Sequence, residues 1–390
     1  MNITDISGVF ASGCHSGIKA SGGFDLAYVY VPGCVGSAIV QTQHAFRSPT
    51  CDHNASVFGQ GPVALMVINS GNANTATGAL GRDHVAQTVA AASRHFGVPV
   101  EAIGVASTGI IGVPLPVQKI VSGIATFSGT EKQGGDCLKA ILTTDLVPKQ
   151  ASRTVMVGGQ RVHMAGITKG SGMIAPNMAT TLGFIVTDLA LTSDECHRLL
   201  QPAIDASYNC LSVDTDSSTN DLVTLQSSGA VSVPLSDADW GVVQEALTAL
   251  CVDLAKQIAK DGEGATHSID VIVRGASTAL EARQLAKQVV NSPLVKTAIA
   301  GNDPNWGRLV MAIGKGNHPG LKPDHLSIVI NGHVIMANGQ PVNGDRDAVR
   351  NAMAVPDVVI EIGVGDGAYE SVAYGCDLTH GYIDINMAYN

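Results

Sequence analysis

The sequence predicts a layered α/β or α+β protein, and three observations carry that reading. Short continuous apolar runs alternate with stretches of helical periodicity along the chain. Hydrophobic residues make up 45% of the sequence but aromatics only 4%, so the core is aliphatic. Glycine supplies 44 of 390 residues, enough for the many turns that such an alternation needs. The length suits two domains or one large layered one.

The elements follow in order. The apolar run 63–68 reads as a buried strand that ends in the turn chemistry of Asn69-Ser70-Gly71-Asn72-Ala73-Asn74. Val85, Val89, Ala92 and Phe96 recur at i, i+4, i+7 and i+11, which predicts a helix. The run 102–106 is the next strand and leads into Ser107-Thr108-Gly109. Thr192, with Glu195 three residues on, makes a capping box before a helix carrying Leu199, Leu200 and Ile204. Trp240, Val243, Leu247, Leu250, Leu254 and Ile258 keep helical spacing. That helix stops at Asp261-Gly262-Glu263-Gly264, where glycine can take a left-handed cap. Strands are expected at 269–273, 327–330 and 358–362.

Composition excludes several classes. Lys plus Arg is 23 and Asp plus Glu is 33, a net charge of −10, and charged residues are only 14% of the chain. That rules out a solvating disordered chain and a charge-laced coiled coil. An acidic chain without basic clusters is a poor partner for nucleic acid, and an anionic substrate must be met by a few local cations. No apolar run approaches the ~20 residues of a membrane span. The opening Met1-Asn2-Ile3-Thr4-Asp5 has no basic or apolar leader region. The eight cysteines are scattered, without C-x-x-C spacing or a His at metal-finger distance, so reduced thiols in a cytoplasmic protein are expected. No metal and no cofactor is implied. His44, Cys51 and His53 read as core or surface residues, and Asp214-Thr215-Asp216 as a structural hydrogen-bonding loop rather than a metal site.

The segment that carries chemistry runs from Lys169 through Gly170-Ser171-Gly172-Met173-Ile174-Ala175-Pro176-Asn177-Met178-Ala179-Thr180-Thr181 into an apolar run. It is not a P-loop, because the spaced first glycine is missing. Read plainly, it is a loop entering a strand, with Lys169 a solvated charge. Thr180 suggests more. A threonine between small residues can attack the carbonyl before it, and hydrolysis of the resulting ester leaves a new N-terminal threonine. Such a residue carries nucleophile and base together, since an α-amine titrates near ~7.7–8.0.

Here the sequence resembles the ornithine acetyltransferases, the ArgJ family of arginine biosynthesis. The segment 169–180 looks like that family's self-cleavage segment. Further matching blocks are Ser70-Gly71-Asn72-Ala73-Asn74, Ser107-Thr108-Gly109-Ile110-Ile111-Gly112, Thr143-Thr144-Asp145 and Asp214 through Asp221. Beyond them come Asp261-Gly262-Glu263-Gly264-Ala265, Asn291 through Ala298, Asp303-Pro304-Asn305-Trp306-Gly307-Arg308 and Tyr374 through Thr379. The blocks run in family order over nearly the whole chain.

The resemblance implies an αββα-like layered sandwich of the DmpA/ArgJ type, similar to the N-terminal-nucleophile hydrolases. It implies cleavage between Ala179 and Thr180, giving an α chain, 1–179, and a β chain whose parts are 180–275 and 276–390. Thr180 would accept acetyl from N2-acetylornithine and pass it to glutamate in a ping-pong exchange. Thr108 and Gly109 would form the oxyanion hole, where loss of one donor typically costs roughly 3–4 kcal/mol. Without the resemblance, Ser107-Thr108-Gly109 reads as an ordinary turn. Lys169, Glu263 and Asn386 would bind substrate with Thr180. In the pair Thr143–Thr144, counting back from the nucleophile favours Thr143. The family usually carries a Ser or Thr five residues after that asparagine; this sequence stops at Asn390, one residue earlier, which places a free carboxylate near where that hydroxyl would stand. Some members also use acetyl-CoA as a co-substrate, and an α2β2 assembly is implied. The competing readings are a self-processing amidohydrolase or aminopeptidase, with water as acceptor, and a non-catalytic amino-acid-binding protein.

Overall fold

The computed structural model describes residues 1–175, 181–316 and 318–387. Its contacts divide the chain into two compact units. The first comprises Met1–Gly170, the described part of Pro176–Asn209, and Ser217–Leu254; the second comprises Ser171–Ala175, Cys210–Asp216 and the described part of Ala255–Asn390.

The first unit holds two sheets. One has the strand order Phe10–Cys14, Leu26–Tyr30, Leu65–Asn72, Ile103–Ile110, antiparallel except for its last pair. The other runs Gly36–Gln41, Leu222–Val231, Leu182–Leu189, Gln160–Lys169, Lys149–Val157; only its second and third strands pair in parallel. The two-residue alternation of a strand sorts the side chains. Ala27, Val29, Met66, Ile68 and Ala106 of the first sheet join Ala165, Ile167, Leu182, Phe184 and Val186 of the second in one apolar layer. The opposite parity of the first sheet, with Tyr28, Val67 and Val105, packs on Val85 and Val89 of the helix Gly78–Phe96 and on Ile120 of Val117–Ile124. On the far face of the second sheet, a Cβ at Gly166 would stand 3.0 Å from Leu254 and 3.1 Å from Leu250 of the helix Asp237–Lys260. The helix Ser193–Asp205 covers Gly36–Gln41. The unit is therefore a helix–sheet–sheet–helix sandwich, as expected.

Most elements fall where the sequence puts them, including the capping box of Thr192 and Glu195. The strands differ at their ends. Leu65–Asn72 continues through the asparagine-rich block read as a turn, and Ile103–Ile110 absorbs Ser107-Thr108-Gly109. The polar side chains allow this because they are satisfied there: the Ser107 hydroxyl donates across the strands to Asn69 Oδ1 at 2.7 Å, and Asn69 Nδ2 donates along its own strand to the Asn72 carbonyl at 2.9 Å.

The second unit is a seven-stranded mixed sheet ordered Gln340–Pro341, His333–Ala337, Ser327–Ile330, Asp357–Gly363, Ser268–Ala276, Tyr369–Cys376, Leu211–Ser212. Ile269, Val271, Val273, Ile360 and Ile362 face the buried sides of the helices Ala279–Val290, Pro293–Ala300, Trp306–Gly314 and Arg346–Met353. The other parity is polar, with ion pairs from Lys256 to Asp270 and from Arg274 to Glu361. The segments 1–179, 180–275 and 276–390 describe where the chain would be cut and how the pieces would follow. Packing partitions it otherwise, because Leu182–Leu189 is an interior strand of the first unit. Among the described residues no helix is long and apolar enough to cross a membrane.

The strand Ile103–Ile110 lies at a sheet edge, where backbone groups lack a neighbour. Asn54 supplies one. Its fully buried amide donates to the Val105 carbonyl at 2.8 Å and accepts from the Val105 N–H at 2.9 Å. Asn54→Ala strands both groups in the interior, so denaturant unfolding should show a loss of about 2–6 kcal/mol, at about 1–3 kcal/mol for each unsatisfied group.

Candidate active site

In the first unit the site begins at a bulge. Gly71 pairs with Gly109, and Asn72 then faces both Thr108 and Ile110. Gly109 has φ +130°, and a Cβ there would stand 2.4 Å from the Gly71 carbonyl carbon, so only glycine fits. An asparagine scaffold holds the bulge from behind. Asn220 Nδ2 donates to the carbonyls of Ser107 and Ala73 at 2.9 and 2.5 Å, and its Oδ1 accepts from Thr75 and Thr219, each at 2.6 Å.

Parity explains what meets there. Lys169 continues the inward series Ala165, Ile167, and Thr108 continues the inward position of Ala106. Both side chains are buried, and Lys169 Nζ donates to Thr108 Oγ1 at 3.1 Å. Beside them the Asp145 side chain is fully shielded from solvent. Its carboxylate accepts from Lys149 Nζ at 2.6 Å and from the amides of Gly170 and Thr143 at 2.7 and 3.0 Å. Burial alone would raise its pKa; the charges of Lys169 and Lys149 outweigh that and hold the carboxyl below its ordinary range. One carboxylate thus fixes Thr143 and the residue following Lys169. Asp145 stood in the sequence only as the last letter of Thr143-Thr144-Asp145; its role has no signal without the fold that brings Gly170 to it.

The second unit brings Glu263 and Asn386 together. Asn386 Nδ2, on the helix His380–Met387, donates to Glu263 Oε2 at 2.9 Å, while Glu263 itself is buried. Gly172 packs so closely that a Cβ would stand 2.3 Å from the Glu263 carboxyl carbon. Ser171 Oγ donates to the Asp261 carbonyl at 2.6 Å, and its own carbonyl accepts from the Glu263 N–H at 3.1 Å. Asp214 takes the next two amides, Met173 at 2.6 Å and Ile174 at 2.8 Å, where Met173 sits at φ +55°. This is the structural hydrogen-bonding loop expected of Asp214-Thr215-Asp216. Burial pushes the Asp214 carboxyl up despite these amides. The blocks 291–298 and 374–379 brace the same loop: buried Lys296 donates to the Cys376 carbonyl, and Thr379 Oγ1 donates to the Gly264 carbonyl at 2.6 Å.

Of the residues expected at the site, then, Thr108 with Lys169 and Glu263 with Asn386 are in direct contact, and Thr143 joins the first pair through Asp145. Ala179, Thr180 and Asn390 lie outside the described residues. All eight cysteines are free, and burial raises the Cys34 thiol to about 11 and Cys51 to about 12. Among the described residues no group of three or more His, Cys, Asp or Glu could hold a metal.

Comparison with known proteins identifies the family. The sequence model of the ArgJ family matches residues 10–390. The arginine biosynthesis bifunctional protein ArgJ of Gloeobacter violaceus is 40% identical over 395 residues, covering 99% of this chain and 97% of that protein. Its namesake in Oceanobacillus iheyensis is 39% identical, covering 100% of this chain and 96% of that protein. The crystal structure of the Bacillus halodurans ArgJ protein superposes with a TM-score of 0.51 at 37% identity, over 53% of this chain and 98% of that one. The chain belongs to the ArgJ family.

Proposed function

We propose that this protein is an ornithine acetyltransferase that cuts itself between Ala179 and Thr180 and then carries acetyl on Thr180. In the first half-reaction the Thr180 hydroxyl attacks the acetyl carbonyl of N2-acetylornithine, and the α-amine of Thr180 takes the hydroxyl proton. The amide C–N bond breaks, the proton passes to the departing amine, and ornithine leaves. In the second half-reaction the amine of glutamate attacks the acetyl ester and restores the hydroxyl. Splitting one exchange between two amines into the formation of an ester and its aminolysis is the gain of covalent catalysis.

The observation that carries this reading is the Lys169–Thr108 contact beside a Gly109 whose backbone admits no side chain. A hydroxyl and a peptide N–H at a bulge are the donors that an oxyanion needs. A buried cation next to them suits an amino-acid carboxylate. Leu182, two residues beyond the proposed nucleophile, faces the same layer. Glu263, held by Asn386, offers a negative charge to the substrate's ammonium. The length of the Bacillus halodurans chain also supports cleavage. Just 53% of this chain matches 98% of it, while 180–390 is 211 of 390 residues, or 54%. The relatives are named bifunctional, which supports a second transfer from acetyl-CoA to glutamate. We place the enzyme in the cytoplasm, where eight free thiols stay reduced, as an α2β2 assembly.

A denaturing gel of the purified protein should show two fragments, and Edman sequencing of the second should read Thr-Thr-Leu-Gly-Phe. Thr180→Ala should stay full-length and transfer no acetyl; cutting at the same bond in that variant would sink the mechanism. Acetyl release from N2-acetylornithine should depend on glutamate, whereas equal release to water would make the enzyme a hydrolase. Thr108→Ala should lower kcat by roughly 100- to 1,000-fold with the two fragments still formed. In the processed enzyme kcat/KM should climb with pH through a single group near about 7.7–8.0 as the α-amine loses its proton; a profile flat from pH 6 to 9 would show that some other base serves.

A further inference from the structure

We propose that Lys19 is a second carboxylate-binding residue of this site and that, with Lys169, it receives the α-carboxylate shared by both amino-acid substrates. The inference rests on the acetyltransferase reading for the identity of the ligand, and on geometry within the first unit for the residue.

A continuous path of contacts returns Lys19 to the bulge. Lys169 touches Thr108, and Gly170, the next residue, donates to Asp145. Asp145 in turn takes the Thr143 amide. The carbonyl just before that amide, Leu142, accepts from Lys19 Nζ at 2.7 Å. From the other side, the stem of Lys19 lies against Gly71, where a Cβ would meet Lys19 Cγ at 3.1 Å. Gly71 is the strand partner of Gly109. Lys19 is thus part of the wall that holds the proposed oxyanion donors.

Its hydrogen bonding leaves capacity for a ligand. The ammonium has three donors; two go to the backbone carbonyls of Leu142 and Phe24, at 2.7 and 2.8 Å. Among the described residues no carboxylate pairs with it. The nearest acid in the sequence, Asp25, is saturated otherwise: its oxygens accept from the amides of Ser16, Gly17, Ile18 and Lys19 at 2.6 to 3.1 Å. Partial burial lowers the Lys19 pKa, the charges of Asp25 and Asp145 raise it, and Lys169 lowers it again. Lys19 and Lys169 are close enough to repel one another, although the carboxylates of Asp25 and Asp145 offset part of that repulsion at Lys19. An incoming carboxylate relieves that repulsion.

Equilibrium binding tests this without requiring turnover. Calorimetric titration of the processed wild-type protein with L-ornithine and with L-ornithinamide, in which a neutral carboxamide replaces the carboxylate, measures the preference for the charge. Lys19→Met should weaken ornithine by about 10- to 100-fold, the range for one charge-assisted hydrogen bond, and leave ornithinamide within about 3-fold. Lys19→Arg, which keeps the charge, should retain most of the ornithine affinity. Equal weakening of both ligands, or no change in either, would overturn the proposal, as would a wild-type protein that does not distinguish the two. The acetyltransferase reading fails by a different sign: wild-type protein that binds ornithine but neither forms two fragments nor transfers acetyl.

Discussion

A lysine ammonium reaches into the layer between two β-sheets, and much of the first unit answers to that fact. Lys169 takes the inward position that Ala165 and Ile167 fill with methyl groups. An ion in that layer is stable only where hydrogen bonds and an opposite charge replace water. Asp145 supplies the charge and is itself held by Lys149 and two backbone amides. The arrangement is rigid because each member fixes another. The Asp145 carboxylate holds the amide of Gly170, the residue after Lys169, and Lys169 itself donates to Thr108. A polar network of this kind is worth most when complete and fails badly when one member is removed.

The same layer explains why the reactive groups sit at strand ends. Across the middle of the sheets the alternation feeds only apolar side chains inward, and the two sheets close on each other. Chemistry becomes possible where the strands run out: at Lys169, at the Gly71–Gly109 bulge, and at Asn220, just before Leu222. The scaffold is the sandwich, and the proposed site residues of this unit lie at one margin of it, where backbone irregularity is tolerated.

How much of this the sequence reveals depends on the range over which each feature is decided. The helices Gly78–Phe96 and Asp237–Lys260 show themselves, because a helix buries one face and the period is local. The capping box at Thr192 is legible for the same reason. The block 69–74 misleads, since asparagine and glycine favour turns in isolation, and only cross-strand partners such as Ser107 turn them into strand. Of the site residues carried by a family resemblance, Thr108 meets Lys169 and Glu263 meets Asn386. Asp145, Lys19 and Asn220 are silent as site residues: each bridges segments more than twenty residues apart in sequence, and no local pattern marks a carboxylate that will meet an amide on a distant strand.

The proposed cut must also leave the protein whole, and the sheet accounts for that. Gln160–Lys169 and Leu182–Leu189 are antiparallel neighbours, paired from Lys169–Leu182 to Met164–Thr187. The bond proposed to be cut lies in the connection between them, outside the paired stretch. Leu182–Leu189 is also paired in parallel with Leu222–Val231, so the new N-terminal strand is held on both edges. On the other side of the connection, Ser171 through Ile174 are bonded to Asp261, Glu263 and Asp214, all of which fall after the cut. Each piece therefore keeps strands or loops of the other as structural neighbours. The proposed cleavage would remove one covalent link from a connection whose two flanks are already fixed, and would add an amine at the residue proposed to carry the acetyl group.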